Sequence, residues 1–213
     1  KIIPALSDTS ELIEFSHRSV SGVLLVVTLI IFAKTRKFQK DSLVRIVTNY
    51  LTFFVIFEAL IGAVIVIFEW VGLNSSLPRI IAVPIHLVNT FGLLGSYAIL
   101  YKILQDDLQN IKNMFNKNFL LISSLFLLSG ATGSITALAD VLFPSASFVE
   151  GFLADFDRTS EVLTRLRILH PIISSTLSIV LYVYATGIRK KYNVGVKPLQ
   201  ILILIAVFLG VIN

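Results

Sequence analysis

The chain of 213 residues contains no cysteine. That excludes disulfides, thiolate-held metals, iron–sulfur clusters and covalently attached c-type haem, each of which needs a cysteine sulfur. Charge is also scarce: Asp, Glu, Lys and Arg make up 15% of the residues, whereas a soluble domain carries about a quarter. With 55% hydrophobic residues and a mean hydropathy of +0.86, the chain is neither an ordinary water-soluble globule nor disordered. Its apolar runs lack period-two alternation, so an outer-membrane barrel is excluded too. Histidine is the last scarcity, with three in all.

What is present is length of apolar run. A bilayer core of about 30 Å takes roughly 20 helical residues, and six stretches reach that: 13–33, 44–68, 80–104, 118–139, 168–188 and 196–213. The class is an all-α, polytopic transmembrane helix bundle. The first run is not a signal peptide, because no basic region precedes it and Glu14, His17 and Arg18 stand at its entry. Of the 18 basic residues, 12 lie in alternate loops: Lys34, Arg36, Lys37, Lys40 and Arg45, then Lys102, Lys112 and Lys117, then Arg189, Lys190, Lys191 and Lys197. Short basic loops stay on the cytoplasmic or matrix side, so the N-terminus and the second and fourth loops are expected outside. The net charge of +5 is therefore a topology signal, and nucleic acid is set aside as a partner.

The fourth loop is long, about 28 residues from Asp140 to Arg167. Phe148, Phe152 and Phe156 recur in it at every fourth position among acidic residues, the pattern of a short amphipathic helix. Two readings stand side by side: a helix on the membrane surface, or a lid over an outward-facing site.

His17, His86 and His170 each stand near the start of an odd-numbered segment, so the topology sets all three near the outer face. Neutral imidazoles at one level of a helix bundle suit axial ligation of haem iron. A zinc site is the competitor, and it needs three or four close ligands. Glu14 shares a helical face with His17, and a carboxylate beside an apolar macrocycle can exchange protons; the plainer reading is a first-turn acid favoured by the helix dipole. Arg18, Arg165 and Arg167 lie at the same level and suit bidentate pairing with carboxylates such as haem propionates, or simply snorkel to the interface. Glu58 is the acidic residue deep within a segment, a functional candidate by its cost or a hydrogen-bonded packing residue.

The sequence also repeats. IEFSHRSVSG at 13–22 is echoed by LRILHPIISS at 166–175, and an apolar Gly element follows each histidine, at Gly62 and Gly210. His86 follows His17 by 69 residues, and the same spacing puts a partner for His170 around 235–240, past Asn213. This is the arrangement of two pseudo-symmetric four-helix halves, six helices seen of eight, divided here as 1–110 and 111–213. The elements EFSHR at Glu14–Arg18, LIGAVIV at Leu60–Val66, HLVNTFG at His86–Gly92, GATGSITALAD at Gly130–Asp140 and RLRILHP at Arg165–Pro171, in that order, resemble the haem A synthase family, with its first and last helices outside this sequence.

The resemblance implies an oxidoreductase that converts a methyl group of haem O to a formyl group for cytochrome oxidase assembly. It matches His17 and His86 to the histidine pair of the substrate haem, Glu14 to the acid before the first histidine, and His170 to a ligand of a haem b cofactor. Implied partners are the haem substrate, the lipid bilayer, haem O synthase and a quinone or other electron acceptor, with a homo-oligomer left open. The location expected is a prokaryotic plasma membrane or the mitochondrial inner membrane. Two rivals stand: a b-type cytochrome that only carries electrons, and a repeat-built transporter using Glu58.

Overall fold

The computed structural model describes residues 9–105, 116–193 and 195–212. Among them are eight helices and no strand: α1 Thr9–Thr35, α2 Leu43–Ile67, α3 Leu77–Leu104, α4 Lys117–Leu142, α5 Phe148–Phe156, α6 Val162–Leu166, α7 Leu169–Tyr192 and α8 Lys197–Ile212. Each of the six apolar stretches falls on a helix. Five of these are long and apolar enough to cross a membrane, α6 and α7 together forming the fifth. The last stretch becomes α8, whose 16 residues extend about 24 Å at 1.5 Å per residue.

The helices wear their apolar side chains outward. Val20, Val23, Ile67, Ile179 and Val183 are 65–72% exposed, an arrangement that is costly in water and natural where lipid is the solvent. This is an integral, multi-pass membrane protein. Threonine hydroxyls within the spans bond to the backbone, as hydrocarbon favours: those of Thr28, Thr48, Thr52 and Thr132 donate to carbonyls four residues back, those of Leu24, Val44, Thr48 and Leu128.

The chain divides into two compact units, Lys1–Trp70 with Asn89–Gln109, and Val71–Val88 with Asn110–Asn213. In the first, α1 packs on α2, and the Thr28 and Tyr97 hydroxyls join α1 to α3. Asn89 and Gly92 hold α3 against α2: the Asn89 amide donates to the Phe54 carbonyl at 2.9 Å. A Cβ at Gly92 would lie 2.7 Å from the Phe54 ring. Gly92→Ala is therefore expected to lower stability by about 1–3 kcal/mol, the usual cost of overpacking, seen as a lower Tm in detergent. In the second unit α4 packs on α6 and α7, α7 on α8, and α5 on α6. Pro84, inside α3, has no N–H, so the Ile80 carbonyl cannot receive its helical bond; His86 follows two residues later.

Candidate functional site

His170 is built into the second unit by α4. Its backbone N–H donates to the Arg167 carbonyl at 3.1 Å, and its half-buried ring lies against the Ser129–Gly133 stretch of α4. Nδ1 is 3.1 Å from the Ser129 carbonyl oxygen and 3.5 Å from the Thr132 hydroxyl. A carbonyl only accepts, so the contact calls for a proton on Nδ1; in the neutral ring that leaves the lone pair on Nε2. The ring fits because position 133 has no side chain: a Cβ there would lie 2.9 Å from His170 Cε1. The small residues of GATGS thus make room for an imidazole. Gly133→Ala is expected to push the ring off the Ser129 carbonyl, shifting the absorption spectrum of any haem held by His170; Gly133→Val should prevent that binding.

One turn before His170, Arg167 is buried. Its Nε and Nη2 donate to Asp155 Oδ1 at 2.9 and 2.8 Å, Nη1 donates to Asp140 Oδ1 at 2.7 Å, and Nη2 also reaches the Gly151 carbonyl at 3.2 Å. These bonds tie the end of α4 and α5 to the start of α7. Four of the five guanidinium N–H donors are thus used within the chain, and one Nη1 hydrogen is left over for a further acceptor. Arg165 is different: half-buried, it has an Nε buried without a hydrogen-bond partner, an unspent donor of the kind a carboxylate ligand satisfies.

On α1, Glu14 and Arg18 form an ion pair at i, i+4 with side chains 54% and 52% exposed. At that exposure the pair adds at most about 1 kcal/mol, so it does not account for these residues by stability. His17 beside them is exposed, and His86 on α3 is half-buried. Glu58 is stitched to α3, its two oxygens accepting from the Thr90 hydroxyl and the Asn89 amide. Among the described residues no three His, Cys, Asp or Glu side chains gather as a metal site. An apolar groove of about 300 Å³ between α4 and α7, at Leu121, Ile122, Val180 and Val183, lies more than two turns along α7 from His170 and does not include it.

Outside the spans, the N–H and hydroxyl of Thr159 both donate to Asp157 at 2.8 Å and hold its carboxyl below the ordinary 3.8. Being depressed in the folded state, it contributes stability above that ordinary value and loses it as pH falls through the folded one.

The sequence matches the COX15-CtaA family, described as cytochrome oxidase assembly protein, over residues 6–213. The chain belongs to this family, that of haem A synthase. Two curated relatives, proteins named protoheme IX farnesyltransferase from two strains of Thermus thermophilus, are each 34% identical over 193 residues. The match covers 88% of this chain and 31% of theirs, so the chain spans about a third of their length. No solved structure matches. Within the RLRILHP element, Arg167 ties α5 to α4 and His170 lies against Ser129–Gly133 of α4. The bracing partners, Asp140 and Asp155, are residues that sequence reading passed over. Asp140 at least closes the GATGSITALAD element, but nothing local marks Asp155.

Proposed function

We propose that this protein is a haem A synthase-like oxidoreductase, converting the haem O methyl group to a formyl group by successive hydroxylation, with a haem b cofactor beside the substrate. The observation that carries the reading is the His170 ring, whose Nδ1 is committed to the Ser129 carbonyl and whose Nε2 is left to ligate iron. The residues suit the group in a second respect, since the buried Arg165 Nε lacks a partner that a propionate oxygen supplies. Haem, when bound, supplies the redox chemistry; the chain's residues hold it and move protons.

His17 and His86 are the proposed pair for the substrate haem. Support comes from the family match, which covers both of their elements, EFSHR at Glu14–Arg18 and HLVNTFG at His86–Gly92. Glu14, three residues before His17, is the proposed proton-exchanging group, with Arg18 holding its carboxylate in place. The repeat halves 1–110 and 111–213, an outward-facing histidine level, a prokaryotic plasma or mitochondrial inner membrane and a quinone or other electron acceptor complete the proposal.

The Thermus relatives support a link to haem O supply. A segment similar to this chain occupies about a third of proteins named for farnesylating protohaem IX, and we place that chemistry in the part this chain does not match. The exposed Glu14–Arg18 pair is the observation that favours the rival reading, a b-type electron carrier. Expression of the chain in a host that makes haem O but no haem A separates them. The enzyme yields haem A in extracted pigment, and Glu14→Gln leaves haem O unprocessed with the b-type spectrum intact. Haem binding without any haem A overturns the enzyme reading.

A further inference from the structure

The helix α5 presents a bare apolar face. Phe148 is 85% exposed, and Val149, Phe152, Leu153 and Phe156 are 49–64% exposed, with the three phenylalanine rings in file at centroid spacings of 6.4 and 5.1 Å. Its polar groups, by contrast, are engaged by the chain itself. The Ser147 hydroxyl accepts from the Glu150 N–H at 3.2 Å, Glu150 Oε2 accepts from the Ala146 N–H at 3.0 Å, and Asp155 is held by Arg167.

The Arg167 tie also fixes where this face lies. It joins Asp155 of α5 to Asp140 near the end of α4, and α7 begins two residues after Arg167. The helix is therefore pinned at the level where two membrane-spanning helices end. Around it Val141, Val162, Leu169 and Ile172 are also exposed, at 40–59%, so the apolar face of α5 continues the lipid-facing surface of α4, α6 and α7. A short helix with aromatic and aliphatic residues on one face, held at a bilayer boundary, is built to lie in the interface plane.

We propose that α5 is an interfacial helix whose Phe148–Phe152–Phe156 file and neighbouring Val149 and Leu153 sit among lipid acyl chains just below the headgroups, at the α4–α7 end of the bundle. The occupant is lipid, because the face is continuous with surface that already meets lipid and its acidic groups are turned to the chain's own partners.

The lack of cysteine gives a clean test. Single substitutions Phe152→Cys, Val149→Cys and Arg158→Cys in the full chain, each carrying a nitroxide label, are reconstituted in phosphatidylcholine nanodiscs. Electron paramagnetic resonance then measures collision with oxygen, which partitions into lipid, and with a water-soluble nickel chelate. At 149 and 152 oxygen collisions are expected to dominate; at 158, in the exposed turn after α5, the nickel chelate should dominate. Nickel-dominated relaxation at 149 and 152 shows a water-facing helix and overturns the proposal. So does an immobilised label shielded from both reagents, which means a protein surface covers the face. Val149→Cys keeps the test decisive if a label at 152 disturbs folding.

Discussion

Arg167→Ala is expected to destabilise the second unit by about 3 kcal/mol, lowering Tm in detergent and loosening α5 from α4 and α7. The reason is the uneven burial of its partners. The Arg167 side chain is 10% exposed and Asp155 14%, while Asp140 is 50% exposed. Removing the guanidinium strands the Asp155 carboxylate away from water, and breaking a buried pair from one side costs roughly 3–5 kcal/mol; the lower figure applies because Asp140 still meets solvent. A ranking follows: Asp155→Asn costs less than Arg167→Ala, and Asp140→Asn stays within about 1 kcal/mol, as for an exposed ion pair. Arg167→Lys should not restore the wild-type Tm, because an ammonium lacks the planar fork that reaches both carboxylates. Equal shifts for Asp140→Asn and Arg167→Ala would show that the network does not brace the fold. The loss should also be felt at His170, whose N–H bonds to the Arg167 carbonyl.

Five of the six expected spans were legible because hydropathy reports what lipid demands of each residue separately; the stretch 196–213 is a shorter apolar helix. Stretch 80–104 appears as Leu77–Leu104 and 118–139 as Lys117–Leu142, with the extra residues at the polar ends where hydropathy is blind and capping decides. Asn116, for example, accepts from the Phe119 N–H and starts α4. The Phe148, Phe152 and Phe156 period announced α5 correctly, because an i, i+4 stripe is a local property. Pairings distant in sequence were not legible. The charge of Arg167 could be read, but its choice of Asp155 depends on how the loop folds back. The Ser129 carbonyl beside His170 is a backbone atom, which no residue type advertises, and only the glycine at 133 hints that something must approach. Glu58 was visible as an anomaly, while Asn89 and Thr90, which explain how it is tolerated, looked like ordinary polar residues of α3.

His170→Ala is expected to remove the b-type haem spectrum, and His17→Ala or His86→Ala to reduce haem A production by more than about 100-fold, since even a group one shell out from a metal is worth 10–100-fold. The two classes should separate. The b-type spectrum should survive loss of His17 or His86, because the packing that holds His170, at Ser129, Thr132 and Gly133, involves neither. Loss of His170 should abolish haem A as well, through the missing cofactor. Misfolding is distinguished by chemistry: the cavity left by His170→Ala is imidazole-sized, and added imidazole should refill it, hydrogen-bond the Ser129 carbonyl and restore part of the haem spectrum. A variant that merely unfolds gains nothing from imidazole. If His170→Ala keeps its full b-type spectrum, the ring bonded to Ser129 is a packing residue rather than a ligand, and the haem b assignment to the second unit falls. If haem A persists at wild-type levels in both His17→Ala and His86→Ala, the substrate pair lies elsewhere.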